Sequence, residues 1–132
     1  MSKILTAGTF DYFHIGHQYY LYMALAKAQQ MTIIVARDKT VARVKGSFPQ
    51  NDETARLAKV EQEFQDFQRV KVRLGREDGD FLKTLKEENP DILWLGYDQK
   101  FRAEKGAIPP HIKIKKGVPY QPNFFKSSRF KS

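Results

Sequence analysis

Apolar residues along this chain recur in two alternating rhythms. Short unbroken runs, "KILTAG" (Lys3 to Gly8), "MTIIVA" (Met31 to Ala36), "VKV" (Val70 to Val72) and "DILWLG" (Asp91 to Gly96), have the length and aliphatic content of buried strands. "HIKIKKG" (His111 to Gly117) alternates and reads as a fifth strand. Between these runs the period lengthens. "GHQYYLYMALAKAQQ" carries Tyr20, Leu21, Ala24, Leu25 and Ala28 at helical spacing. "DETARLAKVEQEF" (Asp52 to Phe64) opens on an aspartate suited to capping a helix and sets Leu57, Val60 and Phe64 on neighbouring turns. "GDFLKTLKEENP" has Phe81, Leu82 and Leu85 on one helical face and stops at Pro90.

Strands separated by helices of this length predict an α/β fold: a parallel sheet of about five strands with helices on both faces. No repeat, low-complexity tract or linker divides the chain, so residues 1–132 are expected to form one domain. Ligands of such sheets bind beyond the carboxyl ends of the strands. Four segments sit there: "GTFDYFHIGH", "RDKTVARVKGSFP", "GREDGD" and "GYDQKFR". On one rim they would bring His14 and His17 to face Arg37, Lys45, Arg76 and Asp98 across a cleft.

Composition narrows the chemistry. There is no cysteine, which excludes disulfides, thiol nucleophiles and cysteine-rich zinc sites and fits a cytoplasmic setting. No stretch reaches the ~20 apolar residues of a membrane span, and the first residues do not resemble a signal peptide. The net charge of +8 lies wholly in the C-terminal quarter: residues 1–98 hold 14 basic and 14 acidic side chains, residues 99–132 nine and one. A localised positive field favours anionic partners, either phosphorylated small molecules or nucleic acid. The mixed basic and aromatic tail "KIKKGVPYQPNFFKSSRFKS" has the composition of a single-strand platform, the weaker of the two readings.

Two of the three histidines stand three residues apart, bracketing Gly16 where the first helix begins. At that spacing both rings can address one object, and a helix start offers backbone N–H groups to an anion. Phosphate handling is the best local reading. Zinc would need a third ligand such as Asp11 and lacks the HExxH spacing, a nucleophilic histidine lacks an orienting carboxylate, and a purely structural role accounts for one ring more easily than for two. A ring donating from both nitrogens would favour its charged form.

"GTFDYFHIGH" resembles the GTFDxxHxGH signature of the cytidylyltransferase-like nucleotidyltransferases, which join a nucleoside triphosphate to a phosphorylated acceptor and release pyrophosphate. "VARDKTVARVKG" and "PDILWLGYDQKF" look most like the small archaeal-type FAD synthases. The resemblance implies a Rossmann-like fold and places Gly8, Thr9, Phe10, His14, Ile15, Gly16 and His17 on the phosphates. It sets Asp98 on the nucleoside, and Phe125, Ser127 and Ser128 in the C-terminal nucleotide motif. His14, His17 and Lys45 become the catalytic donors, and Arg56 a residue near the acceptor phosphate. Asp11 and Asp38, at strand ends, are candidates for a polyol acceptor, with turn or helix capping as their plain alternative. Tyr97, Phe101 and the aromatics of Tyr120 to Phe125 could face a flavin ring, or could simply be packing.

The implied reaction is AMP transfer from ATP to FMN, with Mg²⁺ arriving on the triphosphate. The alternative is CMP transfer from CTP to glycerol 3-phosphate or a related alcohol phosphate. "PNFFKSSRFKS" lacks most of the Arg-Thr-Glu-Gly-Ile-Ser-Thr-Thr stretch of the glycerol-phosphate enzymes, which weakens that alternative. Dimerisation is common in relatives, so a homodimer is a further expectation.

Overall fold

The computed structural model describes residues 2–96 and 107–117. Five strands form one all-parallel sheet: β1 (Lys3–Gly8), β2 (Gln30–Val35), β3 (Val70–Leu74), β4 (Ile92–Leu95) and β5 (Lys113–Lys116), in the order β3-β2-β1-β4-β5. Four helices connect them: α1 (Ile15–Leu25), α2 (Asp38–Lys45), α3 (Glu53–Phe64) and α4 (Phe81–Glu88). The chain winds outward from β1 to β3, then returns to place β4 on the other side of β1. The strand order therefore reverses between β1 and β4, the position where open α/β sheets take their ligands.

Alternation along the central strands divides the core in two. Ile4, Ile33 and Trp94 pack with Leu21 and Leu25 of α1 and with Val60 and Phe64 of α3. Leu5, Ile34, Leu93 and Leu95 face the other way and meet Leu85 of α4 and Ile112. Burial on both faces is why β2 and β4 read as unbroken apolar runs. β5 is exposed throughout.

The helix starts follow from short side chains. Asp52 Oδ1 accepts the Ala55 N–H at 2.8 Å, and Asp80 Oδ1 accepts the Lys83 N–H at 3.1 Å. Helix α4 closes on Asn89 in the left-handed region, one residue before Pro90. Strand ends shift by a residue or two from the sequence reading, with β3 running on to Leu74.

The segment after β2 differs more. It contains a full helix, α2, and Asp38 is its first residue while Arg37 occupies the cap position without a side-chain cap. The cap comes from another helix: Glu53 Oε1 accepts the Asp38 N–H at 2.8 Å, and Glu53 Oε2 lies 3.3 Å from Arg37 Nη1. With only Val41 buried, α2 presents almost no apolar face for a sequence to display.

Candidate active site

The loop leaving β1 is bent hard. Phe10 and Tyr12 both hold left-handed backbone, at φ 55° and 51°, an arrangement that costs roughly 1–3 kcal/mol for each bulky residue. Two anchors hold the loop there. The Phe10 ring folds back beneath Gly8 and is 3 % exposed; a Cβ on Gly8 would stand 2.8 Å from it. The Asp11 carboxylate accepts the Gln50 N–H at 2.8 Å, the Asn51 N–H at 3.0 Å and Asn51 Nδ2 at 2.9 Å. Desolvation pushes the Asp11 carboxyl up, but these hydrogen bonds and the Arg56 charge prevail and hold it below the usual range.

This bend delivers His14 to the cap of α1. His14 Nδ1 accepts the Gly16 N–H at 3.1 Å and the His17 N–H at 3.4 Å, and His17 Nδ1 accepts the His14 N–H at 3.3 Å. The two rings stack with centroids 3.8 Å apart, and Phe13 continues the stack on His17 at 5.9 Å. A Cβ on Gly16 would lie 3.0 Å from His14 Cε1, so a glycine there lets the ring fold over the helix start.

The geometry fixes the chemistry of the pair. Each Nδ1 accepts a backbone N–H, so in a neutral ring the proton sits on Nε2. With Nδ1 bonded to the helix start, each ring has Nε2 left to offer a ligand. Burial, followed by the positive charges of His14 and Lys45, pushes His17 down to about 4, against a smaller upward pull from Asp11. The same tautomer leaves neither ring a lone pair free to act as nucleophile. Two of the N–H groups expected to face an anion, those of Gly16 and His17, are taken by His14.

Lys45, at the last turn of α2, donates from Nζ to Thr9 Oγ1 at 3.1 Å, so these two predicted residues meet. Arg56, expected near an acceptor phosphate, is instead 1 % exposed within the wall. Its Nε donates to Asn51 O at 2.9 Å, Nη1 to Thr9 O at 2.8 Å and Ala36 O at 2.7 Å, and Nη2 to Asp38 Oδ1 at 2.7 Å. It ties together the loops after β1 and β2 and the loop before α3. Asp38 and Asp11, read as polyol ligands or local caps, are committed to Arg56 and to the Asn51 loop.

Beside Thr9 and Lys45 opens a cleft of about 230 Å³ between α2 and the start of α4. Ala7, Ile34, Ala36, Val41, Val44 and Phe81 line most of it. Arg37 and Arg76 reach its edge, where Arg37 Nε donates to Gly75 O at 2.6 Å and Arg76 pairs with Asp78 and Glu87. The apolar lining went unread because its residues are also ordinary strand and helix core. Asp98, Phe125, Ser127 and Ser128, with Tyr97, Phe101 and the aromatics of 120–125, lie outside the described residues. Among the described residues no helix is long and apolar enough to cross a membrane.

A family model described as cytidylyltransferase-like matches residues 5–120. The chain belongs to the cytidylyltransferase-like family. The FAD synthase of Thermoplasma volcanium is 43 % identical over 101 residues, covering 76 % of this chain and 68 % of that protein. The FAD synthase of Methanohalophilus mahii is 36 % identical and covers 98 % of this chain and 91 % of its own. A crystal structure from Thermoplasma volcanium, described as a lipopolysaccharide core biosynthesis protein, superposes with a TM-score of 0.75 at 35 % identity over 92 % of this chain and 99 % of that one. The family and the FAD synthases among its relatives make the chain a nucleotidyltransferase.

Proposed function

We propose that the protein is an FAD synthase that transfers AMP from ATP to the phosphate of FMN and releases pyrophosphate. The FAD synthases among its relatives support the reaction, and one feature of the cleft favours this acceptor. The slot beside Thr9 and Lys45 is lined largely by aliphatic side chains with Phe81, which suits a flat aromatic ring, while Thr9, Arg37, Thr40, Lys45, Arg76 and Thr84 supply its polar groups.

In this reading an oxygen of the FMN phosphate attacks the α-phosphorus in line, the bond to the β-phosphate bridging oxygen breaks, and pyrophosphate leaves. The nucleophile is already an anion, so no general base is required. The Nε2–H groups of His14 and His17 and the ammonium of Lys45 stabilise charge that moves onto the leaving group. Gly8, Thr9, Phe10, Ile15 and Gly16 shape the phosphate seat around them. Asp98, Phe125, Ser127 and Ser128 keep their proposed place on the nucleotide through the family signature alone. Arg56, Asp38 and Asp11 act as positioning residues that hold the loops. Mg²⁺ carried by the triphosphate would neutralise phosphate charge here; Asp11 and Asp38, already bonded to the Asn51 loop and to Arg56, are not arranged to hold it.

The test is pyrophosphate release with ATP or CTP paired against FMN or glycerol 3-phosphate. Release with ATP and FMN alone is the expected result, and release with CTP and glycerol 3-phosphate alone would replace this reading with the alcohol-phosphate one.

A further inference from the structure

A second cavity, of about 370 Å³, opens between the bent loop and the first turns of α3, and it shares no lining residue with the slot beside Thr9 and Lys45. Phe10, Tyr12, Phe13 and Ala55 give it an apolar wall, and Lys59 stands one helical turn beyond Ala55 on the same face of α3. Two of these side chains are uncommitted. The Tyr12 ring is 64 % exposed on left-handed backbone and has no hydrogen-bond or ring partner among the described residues. Lys59 makes no ion pair among the described residues. The other cation of the lining, Arg56, is already matched by Thr9 O, Ala36 O, Asn51 O and Asp38 Oδ1. Strained bulky residues gather at ligand clamps. This cavity also shares a wall with the imidazole pair: Phe13 stacks on His17 with centroids 5.9 Å apart and planes 11° from parallel, and Phe10 meets the same ring edge-on at 5.5 Å.

From this we infer that the cavity is a second ligand site, for a flat aromatic molecule carrying one negative charge, and that its occupancy is transmitted to His17 through Phe13. Three aromatic rings suit a planar hydrophobe, Lys59 supplies one uncompensated ammonium, and the Tyr12 hydroxyl adds a neutral donor. A triphosphate would call for several cations, and the Asp11 carboxylate, bonded to Asn51 of the same lining, repels a polyanion. A ligand seated against Phe13 and Phe10 alters the packing that sets the tilt of the His17 ring. His17 Nδ1 accepts the His14 N–H at 3.3 Å and the two rings stack, so both imidazoles register the change. The site is a control point of the imidazole pair, separate from the places of both substrates, and it stands whichever acceptor the chain uses.

Anilinonaphthalene sulfonate has this chemistry and fluoresces when it leaves water, which makes it the probe. Titrated into the full chain, it should bind saturably and move the ring resonances of His17 in NMR spectra. Lys59→Met keeps the stem and removes the charge, and Tyr12→Asn removes the ring while suiting left-handed backbone. Each should raise the Kd of the probe about tenfold. Val44→Asp, which alters the other slot, should leave that Kd within about twofold. An unchanged Kd in either Lys59→Met or Tyr12→Asn, or binding that leaves the His17 resonances still, would overturn the inference. Loss of binding in Val44→Asp would also overturn it, by placing the probe in the slot. Neither measurement needs turnover. A His17 that responds to the probe in a protein unable to adenylate FMN would keep this site and remove the enzyme reading, and normal adenylation with a silent His17 would do the reverse.

Discussion

His14 and His17 cap each other: the His17 N–H donates to His14 Nδ1 at 3.4 Å while the His14 N–H donates to His17 Nδ1 at 3.3 Å. One pair of side chains thus completes the start of α1 and aims two Nε2–H donors outward. Structure and chemistry can be separated at this position. Asparagine is a good helix cap but is too short to set a donor where Nε2 stands, so His14→Asn should keep the melting temperature and lower kcat about 10²–10³-fold. His14→Ala should lose the same activity and about 1 kcal/mol of stability in addition. Near-normal turnover in His14→Asn would show that the ring serves only the helix.

The depressed His17 has a consequence for acid stability. The unfolded chain takes up this proton near 6.5 and the folded chain only near 4, so the contribution is complete above 6.5 and is lost as pH falls toward 4. Glu88 titrates lower. Burial pushes it up, but hydrogen bonds from Lys3, Lys71 and Arg73 bring it down to about 2 from 4.5, so its contribution is complete above 4.5 and is lost as pH falls through about 2. Denaturation of wild type and His17→Gln across both windows should show the variant flat in the upper one and unchanged in the lower. An identical slope in the upper window would remove His17 as its source.

Arg56 should behave as a framework residue. Arg56→Ala leaves Thr9 O, Ala36 O, Asn51 O and Asp38 without their shared donor and should cost about 3–5 kcal/mol in urea denaturation. Lysine keeps the charge but cannot span all four acceptors, so Arg56→Lys should lose about 2 kcal/mol. Full stability with a raised KM for FMN would return Arg56 to the acceptor phosphate.

How far the sequence foretold these relations depends on how local they are. The strands, α1, α3 and α4 were legible because their apolar spacing and their Asp caps lie within a few residues of one another. The candidate phosphate site could be picked out because "GTFDYFHIGH" is contiguous. Arg56 was not, since its partners come from three loops and only the closed fold joins them. The Asp11 anchor on Asn51 and the Glu53 cap on Asp38 fail to show for the same reason, each linking residues that are 15 or more positions apart. The mutual capping of the two imidazoles was hidden in a backbone geometry, the left-handed Phe10 and Tyr12, that no periodicity encodes.

Gly16 offers the sharpest separation of stability from function. Alanine in the first turn of a helix is favoured over glycine by up to about 1 kcal/mol. Here its Cβ would come within 3.0 Å of His14 Cε1 and 3.1 Å of Nδ1, so the ring must tilt and lengthen its bonds to the Gly16 and His17 N–H groups. The gain in helix propensity and the weakened cap are of similar size and opposite sign, and Gly16→Ala should therefore melt within a few degrees of wild type. The Nε2 donor moves with the ring, and a displacement of a few tenths of an ångström is enough to degrade a positioned donor, so kcat should fall about 10–100-fold. A variant with wild-type turnover would show that the stacked rings yield freely, and that the glycine between them is not what aims them at the phosphates.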